Sequence, residues 1–232
     1  MEKKKKGIEQ FLPTKVIFQG VLDFVETGKV DREKILEEVK EYNKGDNRAN
    51  KAKNGICAIL ENDSKLRDAL RKNYSVDYLI NLSQREKSLL VISLITLKFP
   101  TIYDTLCILG KLFKLQDTVN TQVITDSLAE IYGANSTFHH TVYGVIEILV
   151  DAQMIKREKP GLYSVYENIP VNSFITECWF YAYYVSNDKK PFAIDNVNYL
   201  SWFKYLEFDE MKWNECKILK TRTENSGKVW VE

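Results

Sequence analysis

Three sets of side chains in this sequence have types and spacings that could do chemistry. Thr137 and His140 stand three positions apart, on neighbouring turns of a helix, where a hydroxyl and an imidazole could serve as nucleophile and base. No carboxylate is spaced to orient that imidazole, and both residues suit a polar helix surface better. His139 and His140 form an adjacent pair that invites a metal, but neighbouring side chains on a helix diverge by about 100° and no third ligand is in register. The third set is suited to a polynucleotide. It comprises Asn47, Arg48, Asn50, Lys51 and Lys53, then Asn135, Ser136, Thr137, His139, His140 and Tyr143, and finally Lys156, Arg157 and Lys159. Ammonium and guanidinium groups take up phosphate, while amides, hydroxyls and imidazoles reach base edges. No Walker loop, GxGxxG, HExxH or GxSxG motif occurs, and the carboxylates do not group as in a nuclease. The expectation is a protein that is not an enzyme and uses no cofactor and no metal.

Apolar spacing and capping residues define the elements that must carry these groups. Residues 13–27 read as a helix, with Pro13 in the first turn and Gly28 as the stop. A second helix runs from Asp31 to about Tyr42. A third, from Asn47 to Leu60, turns Ala52, Ile56, Ile59 and Leu60 inward and bears the first basic cluster. Asp63 or Ser64 caps a short helix through Leu70. Ser83-Gln84-Arg85-Glu86 has the form of a capping box and starts a helix that reaches Lys98, before Pro100. Thr101 then caps a helix to about Leu115, with Asp104 favourably early. Residues 121–132 form a helix ended by Gly133, and a second helix starts at Asn135 or Ser136. A strand from Met154 to Lys159, a Pro160-Gly161 turn and a returning strand from Leu162 to Tyr166 follow. Phe174 to Val185 is an aromatic helix, Tyr199 to Phe208 a second aromatic segment, and Lys228 to Glu232 a short strand. The expected fold is mainly α: a helical bundle with a winged helix-turn-helix and one β-hairpin in its middle, and an aromatic helical C-terminal region. The divisions are 1–82, 83–168 and 169–232.

In a winged helix-turn-helix the first helix of the pair braces the second, whose N-terminal turn enters the major groove, about 12 Å wide. The wing would bring Lys156, Arg157 and Lys159 to the backbone beside it. Charge tempers this expectation. Residues 101–165 hold 5 Lys/Arg against 7 Asp/Glu, a net of −2, with Glu147 and Glu158 near the proposed contacts. Residues 43–72 hold 8 Lys/Arg against 4 Asp/Glu, a net of +4, so positive potential sits on the Asn47–Leu60 helix instead. A solvated helix face explains those charges almost as well as phosphate contact.

With 232 residues, 33 Lys+Arg and 32 Asp+Glu, the chain has a net charge of +1, which excludes a strong overall field. Its 44% hydrophobic residues and 12% aromatics exclude a disordered chain. Lys3 to Lys6 are not followed by an apolar run, so no signal peptide is expected; a solvated tail or non-specific phosphate contact suits them. The apolar stretch Leu89 to Leu97 is shorter than the ~20 residues a membrane span needs. Cys57, Cys107, Cys178 and Cys216 are scattered, which suits reduced thiols in a cytoplasmic protein with no membrane contact. The aromatic end suits a core first, and otherwise a homodimer or partner-protein contact.

The ordered pattern over roughly residues 15–166 resembles the BrxA family, accessory proteins of BREX bacteriophage-defence systems. The resemblance lies in the early helices with a glycine-bearing turn (Phe18 to Gly28), the Asn/Arg/Lys-rich helix Asn47 to Leu60, the apolar central helices, and the Ser136-Thr137 helix start leading to Met154-Ile155. It implies a compact helical, non-catalytic protein that binds double-stranded DNA alongside other defence-system proteins. Arg48, Lys51 and Lys53 then match the basic helix, and Ser136 and Thr137 its later counterpart. The sequence departs from the family in having Gly133-Ala134-Asn135 where a Trp is common, Ala152-Gln153 where Gly is common before the strand, and a longer aromatic end. A winged-helix transcription regulator and a protein–protein adaptor without DNA contact are the alternatives that the residues leave open.

Overall fold

Capping chemistry sets most helix boundaries in the structure, a computed structural model that describes residues 7–8, 10–62, 64–134 and 136–232, with Ser136 and Thr137 described in backbone only. Helix α1 (Thr14–Thr27) follows Pro13 and ends where the Gly28 N–H donates to the Phe24 carbonyl. The Asp31 carboxylate accepts from two N–H groups of α2 (Arg32–Lys40), and α3 (Asp46–Leu60) follows Gly45. Ser64 caps α4 (Lys65–Asn73), while Asp63, the other expected cap, lies outside the described residues. A short helix α5 (Val76–Ile80), capped by Ser75, has no counterpart in the sequence analysis, because five residues are too few for a periodic signal. Both halves of the Ser83/Glu86 capping box form at the start of α6 (Gln84–Lys98).

Helix α7 (Pro100–Leu112) corrects three expectations. Its N-cap is Phe99, and Thr101 is the second helical residue, because Pro100 suits the first helical position and moves the start back. The helix ends at Leu112, three residues before Leu115. Asp104 is buried and accepts a 2.5 Å hydrogen bond from the Tyr132 hydroxyl, so it serves packing and not the exposed first turn.

A two-residue strand β1 (Val119–Asn120) precedes α8 (Thr121–Tyr132), and α9 (Ser136–Asp151) leads into β2 (Ile155–Lys159) and β3 (Leu162–Val165). These strands form one antiparallel sheet in the order β1-β3-β2, with Val119 opposite Tyr163 and Ile155 opposite Val165. Met154 belongs to the turn before β2. Gln153 in that turn has φ +53°, the left-handed region that favours glycine, at the position where the family resemblance leads one to expect glycine.

The C-terminal region is less helical than expected. Its α-helix is α10 (Ser173–Ser186), preceded by β4 (Pro170–Val171) and followed by β5 (Phe192–Ala193), 3-10 turns at Ile194–Tyr199, Ser201–Tyr205 and Trp213–Glu215, β6 (Glu207–Phe208), β7 (Thr221–Thr223) and β8 (Val229–Val231). Strand β4 pairs parallel with β6, and β8 lies between β5 and β7. Most of its aromatic side chains are core, whereas Tyr199 is 83% exposed. Trp179 stacks on Trp202 at 4.2 Å, and Phe180 contacts Phe203 and Trp213 edge-on or tilted. Helix α10 packs on α6, which explains why every residue from Ser88 to Thr96 is buried: α6 is surrounded by α1, α3, α7 and α10 and has no wet face over that span. The buried apolar side chains form one cluster from Ile8 to Val231. No helix among the described residues is long and apolar enough to cross a membrane.

Residues near the N-terminus are tied to α9. The Asp151 carboxylate accepts from the backbone N–H (2.7 Å) and the hydroxyl (2.6 Å) of Thr14, replacing the cap that Pro13 cannot supply. Asp151→Ala therefore leaves the first turn of α1 without this acceptor. It is expected to lower stability by about 1–2 kcal/mol, as loss of an N-cap does. A urea midpoint within error of the parent protein's would refute that role.

Candidate nucleic-acid interface

Helix α9 presents a narrower polar surface than its sequence suggests. At about 100° per residue, the buried Phe138, Val142, Val145, Ile146 and Leu149 mark the expected inward side. Thr141, Gly144 and Ile148 form a second buried flank. Residues 10–14 cover that flank. A Cβ on Gly144 would lie 3.5 Å from the Gln10 backbone, and Asp151, seven residues on, holds Thr14. The segment thus runs parallel to α9, Gln10 beside Gly144 and Thr14 beside Asp151. What stays open is one stripe: His139, His140 and Tyr143, the last 56% exposed, with half-buried Glu147 below them. The helix starts at Ser136 and Thr137, and Asn135 lies outside the described residues. The buried aromatics of α10 and the Ser201–Tyr205 turn are core, and His139, His140 and Tyr143 are exposed.

The hairpin beside this stripe carries its charges largely paired. Ile155 anchors β2 in the core, and Lys156, Arg157, Glu158 and Lys159 are exposed. Lys156 lies 3.2 Å from Glu158, whose carboxylate also accepts from the Ser164 hydroxyl at 2.6 Å; together these hold Glu158 below the usual carboxylate range. Arg157 is paired with Glu147 across the α9–β2 corner, which raises the guanidinium's pKa, and it lies over the Tyr163 ring at 5.8 Å. Lys159 pairs with no carboxylate among the described residues. The cation–π contact with Tyr163 has no local sequence signal, because it depends on the β2–β3 register that sets Arg157 opposite Tyr163.

Helix α3 does not present its polar residues as one cluster. Arg48 and Lys51 are exposed about 60° apart on one flank, beside exposed Asn54, and neither pairs with a carboxylate among the described residues. Lys53 points about 160° away from Lys51, is half-buried, and donates at 3.1 Å to Asn50, whose amide in turn donates to the Asp46 carbonyl. Asn47 is exposed on the same flank as Lys51 and Asn54, about 40° from Lys51. The Lys51 flank faces Gly7, Ile8, Gln10 and Leu12: Lys51 and Asn54 line a groove with them, and a Cβ on Gly55 would lie 3.1 Å from the Leu12 side chain. The same short segment therefore separates the Arg48/Lys51 flank of α3 from α9. These two surfaces, far apart in sequence, lie on either side of one strap. The signal that could have revealed it is the apolar set Ile8, Phe11 and Leu12 just after the lysine run; Ile8 and Leu12 are both 2% exposed. Lys3 to Lys6 lie outside the described residues.

Other chemistry finds little support at these positions. Among the described residues no three His, Cys, Asp or Glu side chains gather as a metal site. The four cysteines are free thiols, and burial pushes Cys107 up to about 11 and Cys216 up to about 12, so both are protonated and weak nucleophiles at neutral pH. No protein-family model matches the chain, and no curated protein or solved structure matches it either.

Proposed function

We propose that this chain binds double-stranded DNA without catalysing a reaction, using α9 as the groove-facing helix of a winged helix-turn-helix and acting as a BrxA-like accessory factor of phage defence. The observation that carries the DNA reading is the solvent-exposed stripe His139, His140 and Tyr143 beside a hairpin whose outer residues are Lys156, Arg157 and Lys159. The order of elements supports the winged-helix part. Helix α7, strand β1, helices α8 and α9 and the β2–β3 hairpin follow one another, and the returning strand sits between the other two. The Arg48/Lys51 flank of α3 adds phosphate contacts across the strap.

Fluorescence anisotropy with random duplexes, repeated across salt concentrations, tests this. Binding that weakens linearly on a log–log plot, with a slope near −0.9 per neutralised phosphate, is the expected result. Selective binding to one palindromic site would favour a transcription regulator. No binding at about 50 mM salt would remove the DNA reading, a concentration at which phosphate contacts are strong. The adaptor reading would then stand, and the pairing of Arg157 with Glu147 and of Lys156 with Glu158 already favours it on electrostatic grounds. Loss of phage resistance on deleting the gene, in a host that carries the companion defence proteins, tests the assignment to defence.

The same pairing yields a prediction of opposite sign from the usual loss of function. Glu147→Gln frees Arg157 for phosphate and removes a negative charge from the stripe. Duplex affinity should rise about three- to tenfold at 0.1 M salt, the effect of roughly one added phosphate contact. An unchanged or lower affinity would place the hairpin outside the interface.

A further inference from the structure

A cavity of about 490 Å³ lies where the end of α4, helix α5, the start of α10 and residues 210–217 meet. Part of its lining is aromatic. Tyr74 stacks on Phe174 with ring centroids 3.8 Å apart, and Tyr78 lies 5.1 Å from Tyr74 and 6.1 Å from Phe174, edge-on to the latter. Three rings gathered in this way ordinarily belong to a core. Here they open outward: Phe174 is buried, Tyr74 half-buried and Tyr78 38% exposed.

The rest of the lining is mostly charged, with three carboxylates against two ammonium groups. Glu177 is 3% exposed, and one of its oxygens accepts from the backbone N–H groups of Ile218 and Leu219, which fixes this anion in place. Glu215 pairs with Lys212 at 3.3 Å, whereas exposed Glu210 pairs with no cation among the described residues. The positive end of α10, which would repel a cation, is already met: the Asn172 side chain caps it, and the Glu86 carboxylate accepts from the N–H and the amide of Asn172. The chain itself shows what these rings take up. The Lys217 ammonium lies over the Tyr74 ring, 5.0 Å from its centroid, and pairs with no carboxylate among the described residues. Lys217 is exposed, so the ring face it reaches is open on the solvent side. Ring faces attract cations through their quadrupole, and a carboxylate fixed nearby adds to that attraction.

We propose that this cavity binds a small organic cation of the quaternary-ammonium class over Tyr74 and Tyr78, close to Glu177 and Glu210, with Lys217 as its built-in competitor for the Tyr74 ring. A quaternary ammonium has no N–H groups to satisfy, so aromatic faces suit it well. The volume lies within the range of small-molecule sites. The site uses no residue of α3, α9 or the hairpin, so it does not depend on the DNA reading.

The test follows the methyl proton resonance of choline by NMR as it is titrated against the full chain, alongside choline's uncharged analogue with carbon in place of nitrogen. Choline should bind saturably with a Kd of about 1 mM or lower, its methyl signal shifted upfield by the rings. The uncharged analogue has the same shape and should bind at least about tenfold more weakly, because only the charge feels the ring quadrupole and the carboxylates. Tyr78→Leu should weaken choline binding about tenfold. Lys217→Met keeps most of the side-chain length and removes the competing charge, so it should tighten choline binding about threefold or more. Both side chains are exposed, and a Tm near the parent's checks that each variant is folded. Lys217→Met decides the matter even if Tyr78→Leu does not fold, since a misfolded chain does not gain affinity. No saturation below about 10 mM choline, equal affinity for the uncharged analogue, or a Lys217→Met affinity no higher than the parent's would overturn the proposal.

Discussion

Replacing Arg85 by Ala should lower stability by about 3 kcal/mol, a fall in Tm of roughly 6–12 °C for a chain of this size. The guanidinium leaves the second residue of α6 and enters a crowded junction. It donates to the carbonyl of Gln153 at 3.0 Å, to the Asn168 side chain at 3.1 Å and to the Tyr205 carbonyl at 2.6 Å. Among the described residues no carboxylate pairs with it, and burial pushes the guanidinium down to about 10, still protonated at neutral pH. One side chain therefore joins the start of α6, the turn before β2, the loop after β3 and the end of the Ser201–Tyr205 turn. Truncation leaves those acceptors without donors and opens a void, and leaving buried acceptors unmade costs more than a formed hydrogen bond contributes. Arg85→Lys should recover less than half of the loss, since a single ammonium cannot span three acceptors in a fixed fork. The effect also reaches the candidate interface. Gln153 sits in the left-handed region, where a non-glycine residue is disfavoured by about 1–2 kcal/mol, and Arg85 holds its carbonyl there. Amide exchange in β2 should accelerate in Arg85→Ala beyond the global loss of stability. A thermal midpoint within 2 °C of the parent's, well under the roughly 6 °C expected, would refute this account.

The second large effect concerns binding. Charge reversal at Arg48, Lys51 and Lys159 together should weaken duplex binding at 0.1 M salt by about 100-fold or more, and reduce the log–log salt slope by about 2–3. These three cations are exposed and have no carboxylate partners among the described residues, so each is free to displace counterions from DNA. Lys53→Glu is the informative control. Lys53 is half-buried, tied to Asn50 and turned away from the strap, and its reversal should change affinity by less than about threefold. If Lys53→Glu is as damaging as the triple change, the flank of α3 assigned here is wrong. If the triple change leaves the slope intact, this surface does not meet phosphate.

Local chemistry made most of the architecture legible from residue order. Ser83 and Glu86 announce the start of α6, Gly133 and the apolar spacing delimit α8 and α9, and Pro160-Gly161 marks the hairpin turn. Each of these signals acts within about four residues, where capping bonds, steric limits and periodicity operate. Elements too short to show a period were not legible. Helix α5 has five residues and β1 has two, and β1 exists as a strand because Val119 and Asn120 find Tyr163 and Leu162 about 40 positions away.

The candidate site divides along the same line. Residue types and spacing by themselves determined that α9 has a polar side, that α3 begins with amides and cations, and that the hairpin carries three basic residues. Which of those groups are available was decided only in three dimensions. Residues 10–14 cover a flank of α9 some 130 positions later in the chain, Glu147 and Glu158 pair with two of the three hairpin cations, and Asn50 holds Lys53. The physical reason is one of range. Helix and turn formation are settled by neighbours along the chain, whereas solvent exposure and charge pairing depend on whatever segment the hydrophobic core brings alongside.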